Sequence, residues 1–263
     1  MSLRLLTYLS PSIPEGLFEL VARAVERETG LPASLDFETS VSGPTRATDP
    51  FASGRADLAF VCGPSYGELL AAGSPVMLLP AALVFDDPRA QGRPVYFADL
   101  IVRHGLAARG FASLRGTAFA YNDRLSLSGW YRMLERLAAI GHSGPPEAFF
   151  SRLAHSGSHL ESIAAVASGR ADGASVDSNA LRLAVKRDPD LAGRLTLLEA
   201  WGPSPIQPLL ARSTLSSELM ARVLQALLGM HEDPVFGPCL ADFGVLRFSP
   251  ADETVYARLS VPT

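Results

Sequence analysis

Lysine is almost missing from this chain of 263 residues: Lys186 stands alone and arginine carries the rest of the positive charge. Acidic residues are in slight excess, for a formal net charge of −4. No broad positive field exists to hold a polyanionic polymer, which argues against nucleic acid as a partner. Cysteine is scarce too. Cys62 and Cys239 are far apart and lack paired-motif spacing, so they are read as buried free thiols rather than a metal or disulfide pair. Long apolar runs are missing. The longest, Pro75–Phe85, is about half the roughly 20 residues that a membrane helix needs. The opening MSLRLLTYLSPSIPEG has no charged n-region, long h-region and small-residue cleavage site. A periplasmic location is therefore expected if a signal peptide has been removed, and a cytoplasmic one otherwise. What is present, 48% hydrophobic against 19% charged residues, suffices for a real core in one large domain or two modest ones.

Short apolar runs alternate with segments of helical period. The strands expected are Leu3–Leu9, Ser34–Glu38, Asp57–Cys62, Val76–Phe85, Tyr96–Val102, Thr117–Tyr121, Phe149–His155, Gly173–Val176 and Leu195–Trp201. Helices are expected at Leu17–Glu28, Ser65–Ala72, Ser128–Ile140, His159–Ser168 and Ser178–Lys186. The tail reads as mainly helical, clearest at Ser216–Met230. Such alternation means parallel α/β sheets. One hexapeptide recurs letter for letter: Ala52-Ser53-Gly54-Arg55-Ala56-Asp57 and Ala167-Ser168-Gly169-Arg170-Ala171-Asp172. In each copy a glycine suits a left-handed cap, and an aspartate opens a short apolar strand that runs into a small-polar loop and a helix. Leu5–Ser10 and Ala118–Ser126 echo each other in the same order. Two like-built lobes are the reading. Their strand ends and helix N-termini would face a shared crevice suited to an anion.

Several constellations carry candidate chemistry. Asn122–Trp130 joins a strand to a helix, and Ser126 or Ser128 can be a plain N-cap. Two serines with Gly129 also make a cradle for a tetrahedral anion, and both readings stand. His155-Ser156-Gly157-Ser158-His159 repeats that design. The histidines have zinc-ligand spacing, but Gly157 interrupts the run and no third ligand follows, so no metal is expected. Ser158 as cap, with His159 donating to an anion, is the better reading. Gly63-Pro64-Ser65-Tyr66-Gly67 matches the nucleophile-elbow pattern. Too few strands precede Ser65 for that fold, so it is read as a crevice loop, as is Ser10 after the first strand. Asp177 ends the second repeated strand, where it can cap a helix or accept a proton or ammonium from a ligand. No nucleophile–base pair is visible, and no catalytic residue or cofactor is assigned.

Taken as a set, Leu114-Arg115-Gly116…Asn122-Asp123…Ser126-Leu127-Ser128-Gly129 and Ser156-Gly157-Ser158-His159…Ser162-Ile163-Ala164-Ala165-Val166…Val176-Asp177-Ser178 resemble the phosphate/phosphite/phosphonate-binding family of ABC-importer solute receptors. That resemblance implies the two-lobed type 2 periplasmic-binding-protein fold and a role in transport. It further implies that the Ser126–Ser128 turn and His159 hold phosphonate oxygens, that Asp177 faces the ligand's other end, and that Tyr96 lines the hinge side. Leu127 stands where the family often has a third hydroxyl. Ser42–Arg46 replaces a longer segment bearing an aromatic contact, leaving Arg46 as a possible direct anion ligand. The expectation is one lobe from 1–85 plus 203–263, another from 95–200, and a hinge near 83–96 and 198–205. The lobes would close around a small oxyanion of phosphonate, phosphate or phosphite type, in a monomer that delivers it to an ABC permease. The alternatives are an enzyme on the same fold, of menaquinone- or thiamin-pathway type, or a ligand-sensing module.

Overall fold

The computed structural model describes residues 2–256. The chain divides into two compact units, Met1–Val95 with Pro205–Thr263, and Tyr96–Ser204. The first opens with β1 (Leu3–Thr7), α1 (Glu15–Thr29), β2 (Ala33–Phe37), β3 (Leu58–Phe60), α2 (Gly63–Ala71), β4 (Val76–Leu78) and β5 (Ala81–Phe85). The second carries β6 (Val95–Arg103), β7 (Ala118–Tyr121), α3 (Arg132–Ala139), β8 (Arg152–His155), α4 (His159–Ala167), β9 (Gly173–Asp177), α5 (Ser178–Arg187), α6 (Leu191–Arg194) and β10 (Leu195–Pro205). The chain then returns with β11 (Leu209–Arg212), α7 (Ser217–Gly229), α8 (Phe236–Asp242), β12 (Val245–Pro250) and α9 (Glu253–Tyr256).

Each unit is built on a five-stranded sheet, ordered β2-β1-β3-β11-β4 in the first and β10-β6-β9-β7-β8 in the second. β1 pairs in parallel with β2 and β3, and β7 in parallel with β8 and β9. β11 runs antiparallel to β3 and β4, and β6 antiparallel to β9. In the second unit, alternate strand residues bury against different layers. Phe119 and Tyr121 of β7, with Leu100 of β6, join an aromatic cluster around Phe111, Phe149, Phe150 and Trp201. Ala120, Ala174 and Val176 pack instead against Ile163 and Val166 of α4 and Ala184 of α5.

The repeated hexapeptide performs one job twice. Gly54 and Gly169 are both left-handed, at φ 71 and 76. Each donates to the carbonyl three residues back, while Ala56 and Ala171 each donate six back, to Pro50 and Ala165. In the second copy this turn ends α4, as a left-handed glycine commonly does, and in the first it closes a run of turns before β3. The aspartates then lock the turn to the sheet. Asp57 N–H donates to the Arg4 carbonyl at 2.8 Å and Asp172 N–H to the Ala118 carbonyl at 2.7 Å. Each carboxylate accepts the N–H of the same residue in return, both at 2.9 Å. The two copies occupy equivalent places on equivalent strands, which is the structural reason for the sequence identity.

Four expectations need correction. Val76–Phe85 is two strands, because Pro80 lacks a ladder N–H; β4 stays beside β11 while β5 pairs with β12. Phe149 and Phe150 precede β8 and fill the core, where Phe150 stacks on Phe119 at 4.5 Å. The helix expected at Ser128–Ile140 opens as a π-turn, Leu127–Tyr131, before α3. The tail contributes β11 and β12 as well as helices. Both cysteines are free thiols; Cys62 is buried, but Cys239 is only half-buried. Among the described residues no helix is long and apolar enough to cross a membrane.

Candidate functional site

In the second unit three strands end side by side, and each hands over to a capped helical turn. After β7, Ser126 Oγ accepts the Gly129 N–H at 3.1 Å, and the Ser126 carbonyl accepts both Trp130 and Tyr131 N–H, the wider spacing that makes the turn π-helical. After β8, Ser158 Oγ caps α4 by accepting the Glu161 N–H at 3.1 Å, and Gly157 supplies the left-handed φ of 91 before it. After β9, Asp177 Oδ1 caps α5, accepting from Asn179 N at 2.7 Å and Ala180 N at 3.2 Å. Gly129 has a steric role: a Cβ there would lie 1.7 Å from Asn122 Oδ1.

His159 joins the three turns. Its Nε2 lies 3.2 Å from Ser128 Oγ, and its Nδ1 accepts the Asp177 N–H at 3.4 Å. An accepting Nδ1 assigns the ring proton to Nε2, which then donates to Ser128 Oγ and leaves that hydroxyl's own proton to be directed elsewhere. Ser175 Oγ holds the turn from below, donating to the Ser128 carbonyl at 2.5 Å. Burial drives the His159 pKa from 6.5 down to about 3, so the imidazole is neutral at physiological pH. The unfolded chain takes up a proton near 6.5 while the folded one does not, so stability rises with pH through this window and is lost as pH falls below 6.5. Unfolding by urea is expected to show about 2 kcal/mol less stability from this group at pH 5 than at pH 7. In His159→Gln that contribution to the acid limb should vanish; an unchanged limb would mean that the ring is not held neutral.

Tyr96, buried in β6, lies at the same sheet edge as Asp177: Ala98 pairs with Asp177 in the ladder, and the Phe97 N–H donates to Ser178 Oγ at 3.1 Å. The structure thus joins Ser126 with Gly129, and Ser128 with His159 and Asp177, by direct hydrogen bonds, with Ser158 opening the helix that carries His159. Ser10, Ser65 and Arg46 belong to the other unit and have settings of their own. Ser10 Oγ donates to Glu15 Oε1 at 3.2 Å. Arg46 is exposed, its N–H donating to Glu68 Oε1 at 3.0 Å. Ser65 is buried in the first turn of α2, its Oγ 2.1 Å from where a Gly43 Cβ would stand. A serine covered this closely by backbone has no elbow geometry. His155 is exposed and rests against Tyr121 at 5.4 Å between ring centroids, while His159 is buried. Sequence reasoning quoted Asn122 and Ser178 within motifs without giving them a role and did not name Ser175, whose bond to the Ser128 carbonyl spans 47 residues of chain.

A family model described as the periplasmic substrate-binding protein of ABC phosphonate transporters matches residues 5–256. Among solved structures, the binding-protein component of an ABC phosphonate transporter from Pseudomonas aeruginosa is similar at a TM-score of 0.80 and 19% identity, covering 97% of this chain and 83% of that one. PhnD1 from Prochlorococcus marinus, solved with methylphosphonate, is similar at a TM-score of 0.77 and 15% identity, covering 97% and 94%. A Xanthomonas citri protein solved bound to ATP has a TM-score of 0.70 and 20% identity, covering 98% and 94%.

Proposed function

The chain belongs to the family of periplasmic substrate-binding proteins of ABC phosphonate transporters, and we propose that it seats the ligand's oxyanion on the Ser126–Gly129 turn beside His159. It is a solute-binding protein of a transport system rather than an enzyme. The seat takes a phosphonate, phosphate or phosphite group, and the protein works in the periplasm, delivering that ligand to its permease. The observation that carries this reading is the buried, neutral His159 held between Ser128 Oγ and the Asp177 N–H. A neutral imidazole that fixes the Ser128 hydroxyl so that its proton points to the ligand, beside helix N-termini, suits a small anion without a fixed positive charge. Asp177, with Oδ1 engaged as a cap, places a carboxylate at the same strand end, where it would accept a proton or ammonium brought by the ligand.

Isothermal calorimetry with inorganic phosphate, phosphite and aminomethylphosphonate tests this. Asparagine caps helices as well as aspartate does, so Asp177→Asn changes the charge while keeping the turn. Binding of a probe that brings a proton or an amine should weaken by about tenfold, as a charge-assisted bond becomes a neutral one. Binding of a fully ionised probe should tighten as a repulsion is removed. Identical affinities in both proteins from pH 5 to 8 would leave Asp177 a cap alone.

A further inference from the structure

Asn179 is 2% exposed, and both its Nδ2 and its Oδ1 are buried without a hydrogen-bond partner. Buried amides are almost always paired, so a carboxamide unpaired at both ends calls for a partner that the chain does not supply. Its position points to one. Asn179 lies in the first turn of the ten-residue α5, and helical Cα–Cβ bonds lean toward the N-terminus. The side chain therefore reaches back toward the strand end from which α5 starts. There, the Asn179 N–H is bonded to Asp177, Asp177 N–H to His159, and His159 to Ser128. The neighbouring residues of β6 and α5 also meet, the Phe97 N–H donating to Ser178 Oγ at 3.1 Å.

Resting on the oxyanion seat proposed above, we infer that Asn179 is a specificity-determining contact, and that the ligand's substituent carries a hydroxyl. A hydroxyl donates to Oδ1 and accepts from Nδ2 together. An ammonium only donates, so Nδ2 stays unpaired; a methyl group pairs with neither. A site built around a hydroxyl discriminates strongly against the analogue lacking it, because its own buried polar groups are then left unpaired.

Calorimetry on the full chain with hydroxymethylphosphonate, methylphosphonate and inorganic phosphate tests the inference. Wild-type protein should bind the hydroxymethyl compound at least about 30-fold more tightly than the methyl compound. In Asn179→Leu, of similar volume and without polar atoms, the ratio should fall to about 3-fold or less. Thermal denaturation and retained phosphate binding establish that the variant is folded, and the wild-type ratio requires no variant at all. Equal binding of the two phosphonates by wild-type protein, or a ratio unchanged in Asn179→Leu, would overturn the role of Asn179 and leave the seat standing. Failure of all three probes to bind would overturn the seat and this inference together.

Discussion

Asp57→Ala is expected to lower the free energy of unfolding by about 3–5 kcal/mol, through loss of several charge-assisted hydrogen bonds made by a buried carboxylate. The Asp57 carboxylate is 2% exposed and faces two guanidiniums, Arg4 through Nε at 3.0 Å and Arg212. It also accepts the Arg4 N–H inside the sheet. Burial alone would raise its pKa, but the Arg4 side-chain and main-chain hydrogen bonds and the charges of Arg212 and Arg4 outweigh it and hold it below 3.8. That contribution is therefore present above pH 3.8 and is lost as pH falls through the lower folded value. The second copy is an internal control. Asp172 accepts the equivalent strand N–H at 2.9 Å, but its carboxylate is 27% exposed against 2% for Asp57, while Arg103 and Arg4 are about equally exposed. Asp172→Ala should then cost only about 1–2 kcal/mol, mostly for the main-chain bond. Urea unfolding at pH 7 measures both. Equal losses would mean that the strand lock, common to both copies, outweighs the buried ion pairs.

The same comparison shows what the sequence makes legible. The hexapeptide can be read because its signals are local: a glycine that must be left-handed, and an aspartate next to a strand. The capping serines and Asp177 are local too, each bonded to an N–H two or three residues on. Pairings across the chain cannot be read that way. Ser128 and His159 are 31 residues apart, and Ser175 and Ser128 are 47 apart. β11 escaped because Leu209–Arg212 is short and sits within a stretch read as helical, yet it fills the place between β3 and β4. Periodicity overran Pro80 because apolar residues flank it on both sides. Ser65 is a different case, since the strand count already spoke against a nucleophile elbow there. Its motif has the spacing of a nucleophile elbow, but only the fold reveals the Gly43 backbone against its hydroxyl.

Ser126→Ala combined with Ser128→Ala should weaken binding of inorganic phosphate or methylphosphonate by about 2–4 kcal/mol, at about 1–2 kcal/mol for each of two hydrogen bonds. That is roughly a 30- to 1,000-fold rise in Kd. Each serine already accepts a bond within the protein, Ser126 from Gly129 N–H and Ser128 from His159. Each hydroxyl proton can still be given to an oxyanion. The double variant also removes a helix cap, worth about 1 kcal/mol of stability, so loss of binding must be separated from loss of fold. Ser216→Ala provides that control, since Ser216 Oγ accepts the Leu219 N–H at the start of α7 in the other unit. It should cost a similar cap energy and leave affinity unchanged. If the double variant is folded and binds as wild type does, the anion is held elsewhere, and the turn after β7 is only the start of a helix. If Ser216→Ala weakens binding as much as the double variant does, the effect reports stability, and the seat assignment falls.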